Sequence, residues 1–339
     1  RVDVAIVRGT YADTRGNISP EGEAIDMDVH AMALAAHNGG GRVLAQVRQV
    51  LEPGALPARH VRIPGIMVDA LVVDPEQEQF YDLAYDETVS GSRRAALRQD
   101  EAAVPAKLER RIVARRAAME LRPGASLNFG FGMPGGIFGV IAEQGLGPQL
   151  WMSVEQGTHN GAMLDEHLFG AARNADAIVP SIEQFDYYSG GGIDIAFLGM
   201  GEVDAHGNVN VSHLGGSLIG PGGFVEIAQN AKKVVFCGTF DAQGSRIAWA
   251  DGRLSIVTPG RVRKFVERVE RITFSGDYAR RGGQEVLYVT ERAVLRLDPG
   301  GVSLVEIAPG LDLDRDVLRH MGFRPDTSHV REMPAASFA

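Results

Sequence analysis

Cysteine is nearly absent: Cys237 is the only one, so no intrachain disulfide can form and a reducing, cytoplasmic compartment is expected. In "KKVVFCGTF" it reads as a small core side chain on a strand. No uninterrupted apolar run approaches the ~20 residues that a membrane-crossing helix needs, so no membrane partner is expected. Basic runs are missing too. The formal net charge of -9 argues against nucleic acid as a partner, while leaving room for a local basic pocket around a phosphorylated ligand. A G-x-S-x-G elbow is not found, which removes support for a serine hydrolase. His159, His206 and His213 sit in loop-like segments without metal-ligand spacing, so no metal is expected. "GFGMPGG" lacks the glycine order and the following acidic residue of a dinucleotide site.

What is present is an ordinary globular composition, 45% hydrophobic and 23% charged, in a chain of 339 residues. Single cores stop growing near ~250 residues, so two are expected. The sequence also repeats itself. "DVAIVRGTYADTRGN" from Asp3 aligns without a gap on "DIAFLGMGEVDAHGN" from Asp194, an offset of 191 residues that pairs Asp13 with Asp204, Gly16 with Gly207 and Asn17 with Asn208. The same register carries Val43 onto Val234. Each copy reads as an apolar strand, a Gly-Asn turn, a helix and a second apolar strand, the rhythm of a parallel α/β sheet. The fold class expected is therefore α/β, two related open domains with mostly parallel sheets.

Residues 1–98 form the first domain with a polar linker over 82–105, and 99–339 the second. Residues 99 to 193 precede the second copy, whereas Arg1 leads at once into "VDVAIV", which reads as a buried strand. The front of the first domain is thus expected to be missing from this chain, whether cleaved or carried on another polypeptide. In the second domain, Leu108, Ile112, Val113, Ala117 and Leu121 recur at helical spacing and Pro123-Gly124 stops the helix. "ASLNFG" reads as a strand, "FGMPGGIFGVIAEQ" as a glycine-rich turn into a helix, and residues 284–310 as an antiparallel hairpin around Asp298-Pro299-Gly300-Gly301. "LDLDRDVLRHMGF" has Val317 where a calcium loop needs glycine, so helix capping by Asp314 is expected instead.

"SVEQGTHNG", residues 153 to 161, holds the candidate for chemistry. Glu155 follows a short apolar run and precedes a loop with Gly157 and Gly161, the place where open α/β sheets hold ligands. A glutamate there is ionised at neutral pH, with a reference pKa of ~4.3, and needs no general base to act as a nucleophile. Its partner must be an activated acyl group. A thioester suffices, because coenzyme A leaves as a thiolate whose conjugate acid lies near ~8.5. The tetrahedral oxyanion formed on the way needs donors, each typically worth ~3 kcal/mol of barrier. Two glycine clusters offer backbone N–H groups: "NFGFGMPGG", with Asn128, Gly130, Gly132 and Met133, and "GPGGF", with Gly220, Gly222 and Gly223, at a helix start.

The succession "NFGFGMP", "SVEQGTHNG", "GGGIDIAFLGMGEVDAHGNVNVS", "GPGGF", "AKKVVFCGTF" and "YVTERAV" resembles family I coenzyme A transferases, above all the single-chain acyl-CoA:acetate or propionate and 3-oxoacid enzymes. The resemblance implies that Glu155 attacks an acyl-CoA, that a glutamyl-CoA thioester follows, and that a second carboxylic acid takes the CoA in ping-pong fashion. It implies acyl-CoA and small carboxylic acids as partners, no cofactor beyond the CoA substrate, and a homo-oligomer. It also implies that "GPGGF" lines the oxyanion site and that "NFGFGMP" and Gly157 lie beside the nucleophile. Gln156 departs from the family's usual Glu-Ser-Gly or Glu-Asn-Gly. Two other readings are an acyl-CoA hydrolase that uses the same glutamate and an inactive subunit or binding module.

Overall fold

Alternating residues of Val4–Arg8 build the first strand, β1, which runs parallel to β2 (Arg42–Val47), itself parallel to β3 (Ala70–Val73). The connection from β1 to β2 passes through α1 (Val29–Asn38). Ala33 and Ala36 of that helix pack on Ala5, Val7, Val43, Ala45 and Val47, small and β-branched side chains that let helix and sheet approach closely. The computed structural model describes residues 1–96, 103–164 and 166–339. By contact the chain divides into two units, Arg1–Glu101 with Val154–Asp186 and Ala102–Ser153 with Tyr187–Ala339. Residues 154–186, which the sequence places with the second domain, thus cluster with the first.

The first unit ties this segment down through polar contacts. The Asn174 N–H donates to the Thr88 carbonyl at 2.7 Å, Arg94 pairs with Asp176 at 2.6 Å, and Arg173 pairs with Asp86. Val89, inside the stretch expected to be linker, is fully buried. That part of the stretch is anchored rather than free; its residues 97–102 lie outside the described residues.

β1 is not the buried strand expected. Ala5 and Val7 face α1, but on the opposite face Val4 is 52%, Ile6 72% and Val72 59% exposed. Their counterparts at the 191-residue offset show the reason. Ile195, Phe197 and Val235, which match Val4, Ile6 and Leu44, are 0% exposed. In the second unit that face is covered by helices; among the described residues of the first unit none lies over it.

Those helices are α2 (Leu108–Ala118) and α3 (Gly136–Glu143), which pack on each other. The strands are β4 (Ser126–Phe129), β5 (Trp151–Ser153), β6 (Ile195–Gly199), β7 (Lys233–Cys237), β8 (Glu285–Val289), β9 (Ala293–Asp298) and β10 (Gly301–Ile307). They lie in the order β5-β4-β6-β7-β8-β9-β10, parallel through β8 and antiparallel beyond it. Phe138 of α3 packs on Phe129, which stacks on Phe197 at 5.2 Å. The expected hairpin closes with Asp298 opposite Gly301. Cys237 is a buried strand residue, and burial pushes its thiol far above the usual range.

The repeat survives as hydrogen bonds. Asp13 Oδ1 accepts from the N–H groups of Arg15 and Asn17 at 2.9 and 3.0 Å, and Oδ2 from Asn17 Nδ2 at 2.8 Å. Asp204 does the same with His206 and Asn208, at 3.0, 3.1 and 3.1 Å. Each asparagine then accepts from a distant glycine, Asn17 from Gly65 N at 2.9 Å and Asn208 from Gly276 N at 3.0 Å. Strand register agrees as well, Ala5 lying opposite Val43 as Ala196 lies opposite Val234.

One capping expectation is corrected. Asp312, not Asp314, caps the turn Leu313–Val317: its side chain accepts from Arg315 N at 2.7 Å. A cap needs extended backbone ahead of the first turn, and Asp312 has it, with φ −90° and ψ 128°, whereas Asp314 lies inside the turn.

Candidate active site

Glu155 is the second residue of a tight turn, Val154–Gly157, that begins immediately after the end of β5 and is closed by the Gly157 N–H donating to the Val154 carbonyl at 3.0 Å. The chain leaves the turn as Thr158–His159, paired antiparallel with Ala177–Ile178. Gly157 is required here. Its φ is +98°, and a Cβ would lie 1.8 Å from the carbonyl oxygen of Val179, whose own N–H donates back to the Gly157 carbonyl at 2.9 Å. Thr158 Oγ1 donates to the Gly170 carbonyl at 2.6 Å. Gly170 in turn has no side chain where Gln156 lies: a Cβ there would be 2.7 Å from Gln156 Cγ. The residue that departs from the family pattern is therefore accommodated by a glycine 14 positions on. Glu155 is half-buried, with Oε2 shielded from solvent. His159 is half-buried as well; burial lowers its pKa below the usual imidazole value, and a hydrogen bond with Gln184 offsets part of that.

The two glycine clusters lie in the second unit. Gly220 and Gly222 have φ of +87° and +52°, and a Cβ on either would meet nothing within 4 Å, so the backbone conformation and not crowding calls for glycine. Gly223 precedes the short helix Phe224–Asn230. In the other cluster Gly130 donates to the Phe197 carbonyl at 2.8 Å, and Gly132, with φ +87°, starts the turn Met133–Gly135 that feeds α3. Asn128 is fully buried, and its Nδ2 donates to Tyr188 Oη at 3.1 Å. It faces the interior of the unit.

Sequence reasoning missed several buried charges. Glu23, beside the end of β1, is held by Arg8 at 2.5 Å and by Thr10 and Gln77. Burial raises its pKa although Arg8 opposes that. It lines a cavity of about 400 Å³ with Arg8, Asp26, Met27, Phe80 and Tyr81. Past the ends of β7 and β8, Arg292 is fully buried on Asp241 at 2.6 Å and on Glu291 at 3.1 Å. Burial lowers the pKa of Lys264, whose Nζ reaches the Met200 carbonyl. "YVTERAV" carries two of these residues, yet a Glu-Arg pair is usually a solvated one. His213 pairs with Glu270 at 2.6 Å, and no metal-binding group of three or more His, Cys, Asp or Glu exists among the described residues.

Residues 1–74 match the family model described as coenzyme A transferase. Over 330 residues the chain is 41% identical to acetate CoA-transferase YdiF of Escherichia coli O157:H7, covering 95% of this chain and 61% of that protein. It is also 41% identical to the caffeate CoA-transferase of Acetobacterium woodii, covering 100% of this chain and 66% of the relative. A crystal structure of the Escherichia coli O157:H7 enzyme as a thioester complex with CoA superposes with a TM-score of 0.92 at 39% identity, over 99% of this chain and 63% of that one. The chain belongs to the coenzyme A transferase family. It has the α/β fold of these transferases and spans less than two thirds of the length of the relatives named here. No helix among the described residues is long and apolar enough to cross a membrane.

Proposed function

We propose that the chain transfers coenzyme A from a short-chain acyl-CoA to a carboxylic acid through a thioester on Glu155. The observation that carries this is the turn Val154–Gly157, which holds a half-buried carboxylate on a backbone that tolerates only glycine at 157. In the first step a Glu155 carboxylate oxygen bonds to the thioester carbonyl carbon, the C–S bond breaks, and CoA leaves as a thiolate. The thiolate then attacks the glutamyl carbonyl of the anhydride, releasing the first acid as its carboxylate and leaving glutamyl-CoA. A second carboxylate reverses both steps. The proposed donors to the oxyanion are the N–H groups around Gly220, Gly222 and Gly223, with Gly130, Gly132, Met133 and Gly157 shaping the substrate path.

The domain assignment belongs to the same proposal: 1–98 as the rear of a first transferase domain with its linker, 99–339 as a complete second one. The uncovered face of β1, β2 and β3 supports it, since the equivalent face of the second unit is covered by α2 and α3. Another stretch of polypeptide, attached or separate, would complete the first unit. A homo-oligomer in a reducing, cytoplasmic setting completes the proposal.

Intact-mass measurement after acyl-CoA treatment, followed by borohydride reduction, tests the central step. The expected result is a CoA-sized adduct that maps to Glu155 and disappears in Glu155→Gln. Equal labelling of that variant would overturn the assignment. CoA release that needs no acceptor acid would identify a hydrolase instead.

A further inference from the structure

Asn128 and Ser153 lie directly opposite each other in the parallel pairing of β4 with β5. Their side chains meet at one atom, Tyr188 Oη, at 3.1 Å from Asn128 Nδ2 and 2.9 Å from Ser153 Oγ. All three residues are 0% exposed. The direction of these hydrogen bonds is fixed. Ser153 Oγ donates to the Leu127 carbonyl at 3.0 Å, so it must accept from Tyr188, whose oxygen accepts from the Asn128 amide. The result is a one-way relay from amide to phenol to serine to backbone carbonyl, in which each bond polarises the next. Two residues beyond Asn128 begins the Gly130–Gly135 loop; two residues beyond Ser153 stands Glu155.

A buried polar cluster of this kind is an expensive way to fill space. Asn128 Oδ1 is buried with no hydrogen-bond partner from the protein, a loss that apolar side chains of similar volume would avoid. What the polar set supplies and an apolar one does not is direction, since hydrogen bonds fix distance and angle where dispersion contacts do not. We infer that Tyr188 is a positioning residue: its hydroxyl locks the ends of β4 and β5 to each other and so fixes the direction in which the chain leaves β5 toward Glu155. This rests on the proposed role of Glu155.

The test compares the parent chain with Tyr188→Phe and with the apolar triple variant Asn128→Leu, Ser153→Ala, Tyr188→Phe. Amide hydrogen exchange, which needs no turnover, is expected to speed up together at residues 129–133 and 153–157 in Tyr188→Phe. The rate of adduct formation on Glu155 is expected to fall roughly tenfold with KM for acyl-CoA little changed. The triple variant is expected to regain the parent's urea midpoint without regaining that rate. Ser153→Ala serves as the single variant should Tyr188→Phe fold poorly. Unchanged exchange at both segments, or a triple variant that regains stability and rate together, would show that the cluster only fills space. A parent chain that never labels, even with the polypeptide that completes the first unit supplied, combined with the coupled rise in exchange, would sink the role of Glu155 and leave the positioning role standing.

Discussion

Gly157 and Val179 exchange two close backbone contacts: the Val179 N–H donates to the Gly157 carbonyl at 2.9 Å, and the Val179 oxygen occupies the place a Gly157 side chain would take. Gly157→Ala therefore cannot keep the turn. The expected outcome is a loss of about 2–4 kcal/mol in urea unfolding, together with slower labelling of Glu155. Gly222→Ala, in open space, is expected to cost only the strain of its positive φ, about 1 kcal/mol.

The repeated turns make a paired prediction. A Cβ on Gly65 would lie 2.0 Å from the Arg15 carbonyl oxygen, and one on Gly276 would lie 2.1 Å from that of His206. Gly65→Ala and Gly276→Ala are expected to destabilise by similar amounts, and Asp204→Ala, which strips four hydrogen bonds from a buried loop, by about 2–4 kcal/mol. Denaturant midpoints of the three variants check this. A Gly276→Ala variant as stable as the parent would mean that the two turns are not equivalent.

His159 gives a pH dependence. Burial lowers its folded pKa below the unfolded value of ~6.5. As pH falls below that value the unfolded chain takes up the proton first, so the stability contributed by the neutral, buried ring is present above it and is lost progressively on acidification. Urea midpoints between pH 5 and 8 are expected to fall toward the acid end, and His159→Gln to flatten that fall.

The open face of the first sheet predicts association. Val4, Ile6 and Val72 present a row of apolar side chains to solvent. Ile6→Glu is expected to reduce light scattering by the purified chain at high concentration while leaving its thermal midpoint nearly unchanged. It is also expected to weaken binding of any polypeptide that completes the unit.

Much of the fold was legible because its signals are local. Asp13 and Asn17, like Asp204 and Asn208, form a turn through bonds spanning four residues, so the motif reads directly from spacing. The amphipathic α2 and the hairpin at Asp298 were readable for the same reason. What stayed hidden depends on contacts far apart in sequence. Nothing near Tyr188 announces that its hydroxyl joins Asn128 to Ser153, and nothing near Gly170 announces that it makes room for Gln156. The exposure of Ile6 was equally invisible, because a strand covered on one face and one covered on both can share a sequence.

The clustering of residues 154–186 with the first unit bears on any attempt to bisect this protein. A cut at 98/99, the boundary read from the sequence, would yield a fragment that still contains Glu155 but has lost Thr88 and Asp86, the anchors of the strand and loop behind it. Such a fragment would keep the reactive group and forfeit its mounting.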